Sequence, residues 1–306
     1  MPSRLSRVRR VLLGGAGLAA WALAWPGRSL AHGGHEHIQQ PLLSLTDWQW
    51  DPLVLLAVGA GALLAAKARP WADAPRRLRQ WWWAGLALVA VAVESPLDRG
   101  ADRYLFFLHM VQHMLLSMAA APLLALGMPA AAWRWLQQRP GVGALVGWLS
   151  WLPVATGLYN AALVAWHLPG PYEAALAHDA VHALQHGMFV GTGFLFWAAV
   201  LTPERLGRPA GAGMRAAALV ASAVVNWLVS FALVGAGRMI YPTYASAPRL
   251  WGLSPEADMA LGAGVMWEHG NMVYALALLR LIRSEWLRPA ASAEGQAWQP
   301  AAGDAR

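Results

Sequence analysis

Apolar stretches long enough to cross a lipid bilayer recur along this chain and limit what it can fold into. A helix that spans the hydrocarbon core needs about 20 predominantly apolar residues. We predict seven such helices, over residues 52–68, 81–94, 104–126, 142–166, 177–201, 214–236 and 255–282. The sequence therefore predicts an all-α fold, a polytopic membrane bundle of seven transmembrane helices.

The composition agrees with a membrane protein and argues against other classes. Of the 306 residues, 58% are hydrophobic and 13% are charged, whereas about a quarter are charged in a typical soluble domain. The net charge of +7 comes from basic residues spread through short connections between apolar stretches, which argues against a nucleic-acid partner. Because the chain has no cysteine, disulfides and thiolate metal sites are excluded, and histidine and methionine remain as ligands.

The first 31 residues have the pattern of a secretion signal. A basic start precedes the apolar stretch 11–25, which ends near the small-residue cleavage site Ser29-Leu30-Ala31. We predict a signal peptide over 1–31, with an uncleaved eighth span as the alternative. An exported segment then covers 32–50, the seven-span domain 51–285, and a disordered tail 286–306.

The positions of lysine and arginine predict how the bundle is oriented. Most of them lie in the first, third and fifth connections and in the tail. The second, fourth and sixth connections contain only Arg99, Arg103, Arg238 and Arg249. Since basic residues gather in cytoplasmic connections, we predict an exported N-terminus and a cytoplasmic C-terminus.

Histidines gather on the predicted outer side of the bundle. Two pairs with a spacing of four residues lie on separate predicted helices, so each pair shares one helix face. Two further histidines lie near the outer ends of neighbouring spans. Together they can offer imidazoles to one or two metal ions, although a membrane histidine can also serve as a hydrogen-bonding group between helices. The predicted metal ligands are His109, His113, His182, His186, His167 and His178.

Four further residues are candidate accessory ligands. Met110 and Met114 adjoin the first histidine pair, where they offer thioethers for Cu(I) or simply fill the core. Glu268 lies near the predicted middle of the last span, where a carboxylate needs a partner such as His269 or Asn226. We therefore add Glu268 and His269 as candidate accessory ligands.

The predicted exported segment contains three more histidines, His32, His35 and His37. Three imidazoles within six flexible residues are typical of a metal-capture tail, and the alternative is an incidental polar segment. Further along, the outer connection 235–255 is rich in aromatic residues. We expect that connection to be a docking surface for a partner.

The combined motifs resemble the multi-span CtaG-type cytochrome c oxidase assembly factors. The resemblance covers about residues 45 to 285. It rests on His109-Met-Val-Gln-His113, the segment 121–129, Trp166-His167-Leu-Pro169 and the last-span segment 258–267. It adds four residues of the family motifs, Trp166, Asp258, Met266 and Trp267. After Met266-Trp267 this chain has Glu268-His269-Gly270, where the family pattern has proline and glycine.

The resemblance implies a multi-pass protein of the bacterial inner membrane that helps copper reach the haem-copper centre of the oxidase. The implied partners are the oxidase subunit that carries this centre, the lipid bilayer and a periplasmic copper donor. The implied cargo is copper, held at the outward-facing histidines. We expect no enzymatic activity, since the chain shows neither a nucleophile with a base nor a phosphate-binding loop.

Two other functions stay open at this point. Two histidine pairs on facing helices could bind haem through two imidazoles, which would make the chain an electron-transfer protein. A copper permease would need polar groups through both leaflets. The inner halves of the predicted spans offer almost none, so the permease is the weaker alternative.

Overall fold

The computed structural model describes residues 46, 48–208 and 210–285, and their regular elements are helices. The predicted signal peptide, the histidines of the exported segment (His32, His35 and His37) and the predicted tail lie outside the described residues. The α-helices are α1 Pro52–Lys67, α2 Arg69–Ala72, α3 Arg76–Glu94, α4 Pro96–Arg103, α5 Phe106–Met114, α6 Ala121–Gly127, α7 Ala130–Gln137, α8 Val142–Leu149, α9 Leu152–Trp166, α10 Pro169–Ala177, α11 Asp179–Leu201, α12 Ala212–Gly235, α13 Pro242–Ser246 and α14 Pro255–Glu285. A π-helical segment, Leu115–Ala120, joins α5 to α6, and a 3₁₀ turn, Pro203–Leu206, follows α11.

One continuous span runs through the middle of the bundle. It covers Phe106–Gly127, and 67% of its most apolar stretch is buried, against 44% for Asp179–Leu201 and 33% for Ala212–Gly235. The span packs against α3, α11 and α14. Neighbours on several sides explain why this helix is apolar around most of its circumference, and they hold the first histidine pair in the core.

The π-helical segment Leu115–Ala120 lies directly after this histidine pair. A π turn replaces the usual i to i−4 bonding with i to i−5 bonding and is often found at functional sites. Here the carbonyl of Ser117 accepts a hydrogen bond from Trp197 Nε1 on α11 at 2.9 Å. The Ser117 hydroxyl donates to the carbonyl of His113 at 2.7 Å. The bond from Trp197 ties the central span to α11 next to the histidines, and the bond from Ser117 lies within the span.

The prediction of seven membrane spans is wrong on the criteria of length and composition. Within the described residues, three helices are long and apolar enough to cross a bilayer: Phe106–Gly127, Asp179–Leu201 and Ala212–Gly235. A fourth crossing exists only if α8 and α9 count as one broken span, since the two helices are bent by 73°. The apolar helices indicate a membrane protein with three or four candidate spans.

The other three predicted spans form helices that fall short for identifiable reasons. Helix α1 has only 16 residues. Helix α3 begins with three arginines in its first four residues and ends at Glu94. Helix α14 has 31 residues, but Glu268, His269 and Asn271 interrupt its middle with polar groups. The orientation predicted from the basic residues stays a prediction.

The outer faces of the last two long helices carry large apolar side chains. Contiguous apolar surface of this kind is costly in water and ordinary in lipid, where it supports the membrane assignment. Exposed apolar side chains on α12 and α14 include Val220, Val224, Leu228, Phe231, Leu276 and Leu279.

Candidate metal centre

Five of the six predicted histidine ligands lie together at one end of the bundle. Helix α5 supplies His109 and His113, α11 supplies His182 and His186, and His167 caps the C-terminus of α9. The ligating atoms of His109, His182 and His186 lie within 4.8 Å of one another. Two helices thus bring three imidazoles to one point, and we call these three residues the histidine cluster.

The tautomer of His109 follows from its hydrogen bonds. Its Nδ1 lies 2.8 Å from the Tyr244 hydroxyl, which in turn donates to the carbonyl of Ala101 at 2.6 Å. Burial raises the pKa of Tyr244 well above its usual value, so this hydroxyl keeps its proton. Because the tyrosine proton goes to the carbonyl, Nδ1 of His109 must be the donor, and Nε2 carries the free lone pair. Outer hydrogen bonds of this kind orient metal-binding histidines.

His113 and His167 form a layer beside the histidine cluster. Their ring centroids are 5.9 Å apart, and the ring of His113 packs on Phe189 at 4.4 Å. His167 donates from Nδ1 to the Leu163 carbonyl at 2.6 Å. Its Nε2, and both ring nitrogens of the fully buried His113, have no hydrogen-bond partner among the described residues. Buried polar atoms without partners are costly, so the free ring nitrogens of His113 and His167 are also candidate ligands for an ion.

Three other predicted site residues lie apart from the histidine cluster. His178 is exposed at the N-cap of α11. Glu268 and His269 are exposed on α14. Asn226, proposed above as a partner for Glu268, instead donates to the carbonyl of the buried Met266 at 3.0 Å. The acidic side chain therefore faces outward, and the structure brings neither it nor His269 into contact with the cluster.

The methionines beside the first histidine pair are part of the apolar core. Met110 and Met114 are both buried. A Cβ atom added to Gly262 of α14 would lie 3.2 Å from Cγ of Met110, so Met110 packs against that helix. Core packing accounts for both side chains, and their role as thioether ligands stays a prediction.

Two tryptophans of the family motifs also have structural roles. Trp166, at the end of α9, donates from Nε1 to the sulfur of Met188 at 3.4 Å. Trp267, on the outer face of α14, lies with its ring 5.9 Å from that of Trp227 on α12. Both contacts join neighbouring helices rather than completing the cluster.

Asp258 of the last-span motif holds the histidine-bearing helix. Its carboxylate is fully buried and accepts hydrogen bonds from the backbone N–H groups of Phe106 at 3.0 Å and Phe107 at 2.9 Å. These are first-turn donors of α5, which have no partner inside their own helix. An acidic side chain on α14 thus caps the helix that carries His109.

The tyrosines of the outer connection 235–255 face the site and not a partner. Tyr241 and Tyr244 are fully buried. The Tyr241 hydroxyl donates to the carbonyl of His167 at 2.8 Å, while Tyr244 orients His109. The expectation of an aromatic docking surface is therefore wrong for these tyrosines, although Trp251 is exposed.

Two aspartates that sequence reasoning missed border the histidine cluster. Asp98 and Asp102 are four residues apart on α4, the short connecting helix before the histidine-bearing span. Asp98 accepts from Nε2 of the buried Gln112 at 2.5 Å, and Asp102 Oδ1 lies 3.5 Å from His182 Nε2. The spacing of four residues just before the first histidine pair was the available signal.

Burial sets the acidity of both aspartates. Burial, assisted by the nearby charge of Asp102, raises the pKa of Asp98 from 3.8 to about 7. Burial likewise raises the pKa of Asp102 to about 7, against the opposing effect of Arg103. Near neutral pH the pair therefore holds a proton more readily than exposed aspartates do.

The Asp98→Asn variant is expected to lose less stability with rising pH than the wild type. The folded-state pKa of Asp98 is raised, so its contribution is fully present below about pH 4 and is lost as the pH rises through about 7. Asparagine keeps the acceptor for Gln112 and does not titrate. Thermal midpoints in detergent between pH 4 and 8 should thus fall less steeply in the variant. Asp73→Asn, at an exposed position, is the control. If the thermal midpoints of wild type and Asp98→Asn change with pH in parallel, the raised pKa of Asp98 is contradicted.

Comparison with known proteins identifies relatives. An uncharacterised protein of Mycobacterium bovis and an uncharacterised protein of Mycobacterium tuberculosis are each 26% identical to this chain over 282 residues. Each match covers 83% of this chain and 42% of the relative, so the chain spans about two fifths of the length of these curated relatives. No solved structure matches the chain.

The family comparison covers most of the chain. Residues 58–288 match the family model described as cytochrome c oxidase caa3 assembly factor, Caa3_CtaG. That range contains the central span, the histidine cluster and the capping residue Asp258. The resemblance noted from the sequence motifs is thereby confirmed: the chain belongs to the cytochrome c oxidase caa3 assembly factor family.

Proposed function

We propose that this chain binds copper at the histidine cluster and assists its insertion into cytochrome c oxidase. The observation that carries the proposal is the convergence of His109, His182 and His186, with ligating atoms within 4.8 Å of one another. Imidazole is a good copper ligand. The free Nε2 of the fully buried His109 fits an ion, because no described side chain satisfies it. Membership of the family supplies the recipient, an oxidase in the same membrane.

The geometry favours a metal ion over haem. The ring centroids of His182 and His186 lie 4.1 Å apart, and those of His109 and His182 lie 5.3 Å apart. In bis-imidazole ligation a porphyrin would have to lie between two of these rings, which here pack against one another. A single ion needs only about 2 Å to each nitrogen.

Partial access to the cluster supports a role in transfer. His109 is fully buried, whereas the side chain of His182 is 13% exposed. His182 and His186 line a cleft of about 650 Å³. An ion held by one fully buried imidazole and by two imidazoles that border the cleft can exchange ligands with a recipient from the cleft side. The distribution of lysine and arginine along the sequence supports a periplasmic position for this end of the bundle.

The double variant His109→Ala/His182→Ala is expected to lose bound copper. The wild type, purified in detergent and loaded with copper, should retain about one equivalent, because three imidazoles from a preformed site bind far more tightly than one. Elemental analysis after dialysis measures the content. The matched control is His178→Ala/His269→Ala, which removes two exposed histidines and should retain the copper. Equal copper in all three proteins would contradict the proposed site.

The same variants address the role in assembly. In cells that lack this chain, oxidase activity should be restored by the wild type and by the control variant, and not by His109→Ala/His182→Ala. Immunoblots must show equal amounts of each protein in the membrane. Full oxidase activity with His109→Ala/His182→Ala would show that the role in oxidase assembly does not require copper binding at the histidine cluster.

A further inference from the structure

An acidic cleft adjoins the histidine cluster on its accessible side. Four aspartates line the cleft together with two of the cluster histidines, and among the described residues its lining contains one arginine, Arg103, and no lysine. A cleft lined mainly by one sign of charge concentrates counter-ions. The residues concerned are Asp51, Asp98, Asp102, Asp179, His182 and His186.

These aspartates are not equivalent. Asp51 caps α1 by accepting from the backbone N–H groups of Leu53 and Val54. Asp98 accepts from Gln112, and Asp179 stands exposed in the first turn of α11. Asp102 differs from them. Its Oδ1 is buried, has no hydrogen-bond partner among the described residues and faces His182.

The distance between Asp102 and His182 suits two ligands of one ion. Oδ1 of Asp102 lies 3.5 Å from Nε2 of His182, and that nitrogen also has no hydrogen-bond partner in the described part of the chain. Two ligands at about 2.0–2.1 Å from a tetrahedral ion lie about 3.4 Å from each other. The fully buried His109, with its free Nε2, adds an independent sign that a ligand belongs at this point.

We propose that Asp102 is a fourth metal ligand and that the acidic cleft is the route by which a divalent cation reaches the histidine cluster. The inference rests on the proposed function and deepens it by naming the form of the metal. A set of three imidazoles and one carboxylate favours divalent ions such as Cu²⁺ and Zn²⁺, whereas Cu⁺ prefers sulfur ligands. The methionines that could supply sulfur, Met110 and Met114, lie in the apolar core.

The test compares two neutralised aspartates in the full chain, purified in detergent. Asp102→Asn removes the ligand with little change of shape, and Asp179→Asn removes the same charge from the same cleft without touching a histidine. Zn²⁺ is the divalent probe because it has no redox chemistry, and Cu⁺ is titrated in parallel. Asp102→Asn should weaken Zn²⁺ binding by about tenfold or more and Cu⁺ binding by less than about threefold. Asp179→Asn should change both affinities by less than about threefold.

The outcomes separate this inference from the proposed function. If the wild type binds neither Zn²⁺ nor copper, the proposed function fails. If the wild type binds Zn²⁺ and Asp102→Asn binds it as tightly, only the fourth ligand is refuted. A second variant, Asp102→Glu, guards against misfolding, since it keeps the carboxylate and should retain more Zn²⁺ affinity than Asp102→Asn. Equal losses in Asp102→Glu and Asp102→Asn would also refute the role.

Discussion

Replacing Asp258 with alanine is expected to destabilise the protein by about 2–4 kcal/mol. The fully buried carboxylate accepts hydrogen bonds from the backbone N–H groups of Phe106 and Phe107. Alanine would leave both donors buried without a partner at the start of α5. The thermal midpoint in detergent should fall, and copper binding should weaken with it, because the loosened helix carries His109.

Two further variants separate the cap from a general charge effect. Glu256 lies in the same first turn of α14 but is exposed, so Glu256→Ala should leave the thermal midpoint nearly unchanged. Asp258→Asn keeps one acceptor oxygen and should give an intermediate midpoint. If Asp258→Ala and Glu256→Ala unfold at the same temperature, the cap contributes nothing measurable.

Adding a single methyl group at Gly262 is the second change for which we expect a large effect. In Gly262→Ala the new Cβ would lie 2.5 Å from Cε1 of Phe106 and 3.2 Å from Cγ of Met110. A contact of that length forces α14 away from α5, and overpacking of this kind costs about 1–3 kcal/mol. The thermal midpoint should drop and the copper content should decrease, because Phe106 and Met110 belong to α5, the helix that supplies His109.

The same helix offers a matched control two residues further on. Nothing lies within 4 Å of a Cβ atom added at Gly264. Since alanine is a better helix former than glycine by about 1 kcal/mol, Gly264→Ala should be neutral or stabilising. A midpoint for Gly262→Ala at or above that of Gly264→Ala would show that the close approach of α5 and α14 is not required.

The sequence indicates which histidines can lie close together, because a shared helix face depends on local spacing. A spacing of four residues places His109 and His113 on one face of α5, and it does the same for His182 and His186 on α11. Once the apolar stretches indicate two adjacent helices, the two histidine pairs can contact each other in only a few arrangements. The ranges of the three candidate spans also follow from apolar length alone.

The residues that support the histidine cluster depend on contacts between residues distant in the chain, and local spacing does not reveal such contacts. Asp258 meets Phe106 across 152 positions, and Tyr244 meets His109 across 135. From the sequence, Asp258 is expected to stabilise the start of its own helix and Tyr244 to lie on the surface. In the fold, Asp258 caps α5 and Tyr244 orients His109 on α5. The sequence predicts too many spans for a different reason, since charges or a sharp bend interrupt several of the apolar stretches.

The π-helical segment has a consequence for how this chain can diverge. Wider bonding in Leu115–Ala120 accommodates an additional residue within a helix whose two ends are held by different neighbours. Deleting one residue there would rotate the following part of the span by about 100° about the helix axis, relative to the half that carries the histidines. An insertion or deletion in this segment thus rotates the Ala121–Gly127 end about the helix axis. It changes which side chains of that end face α3, while His109 and His113 keep their direction.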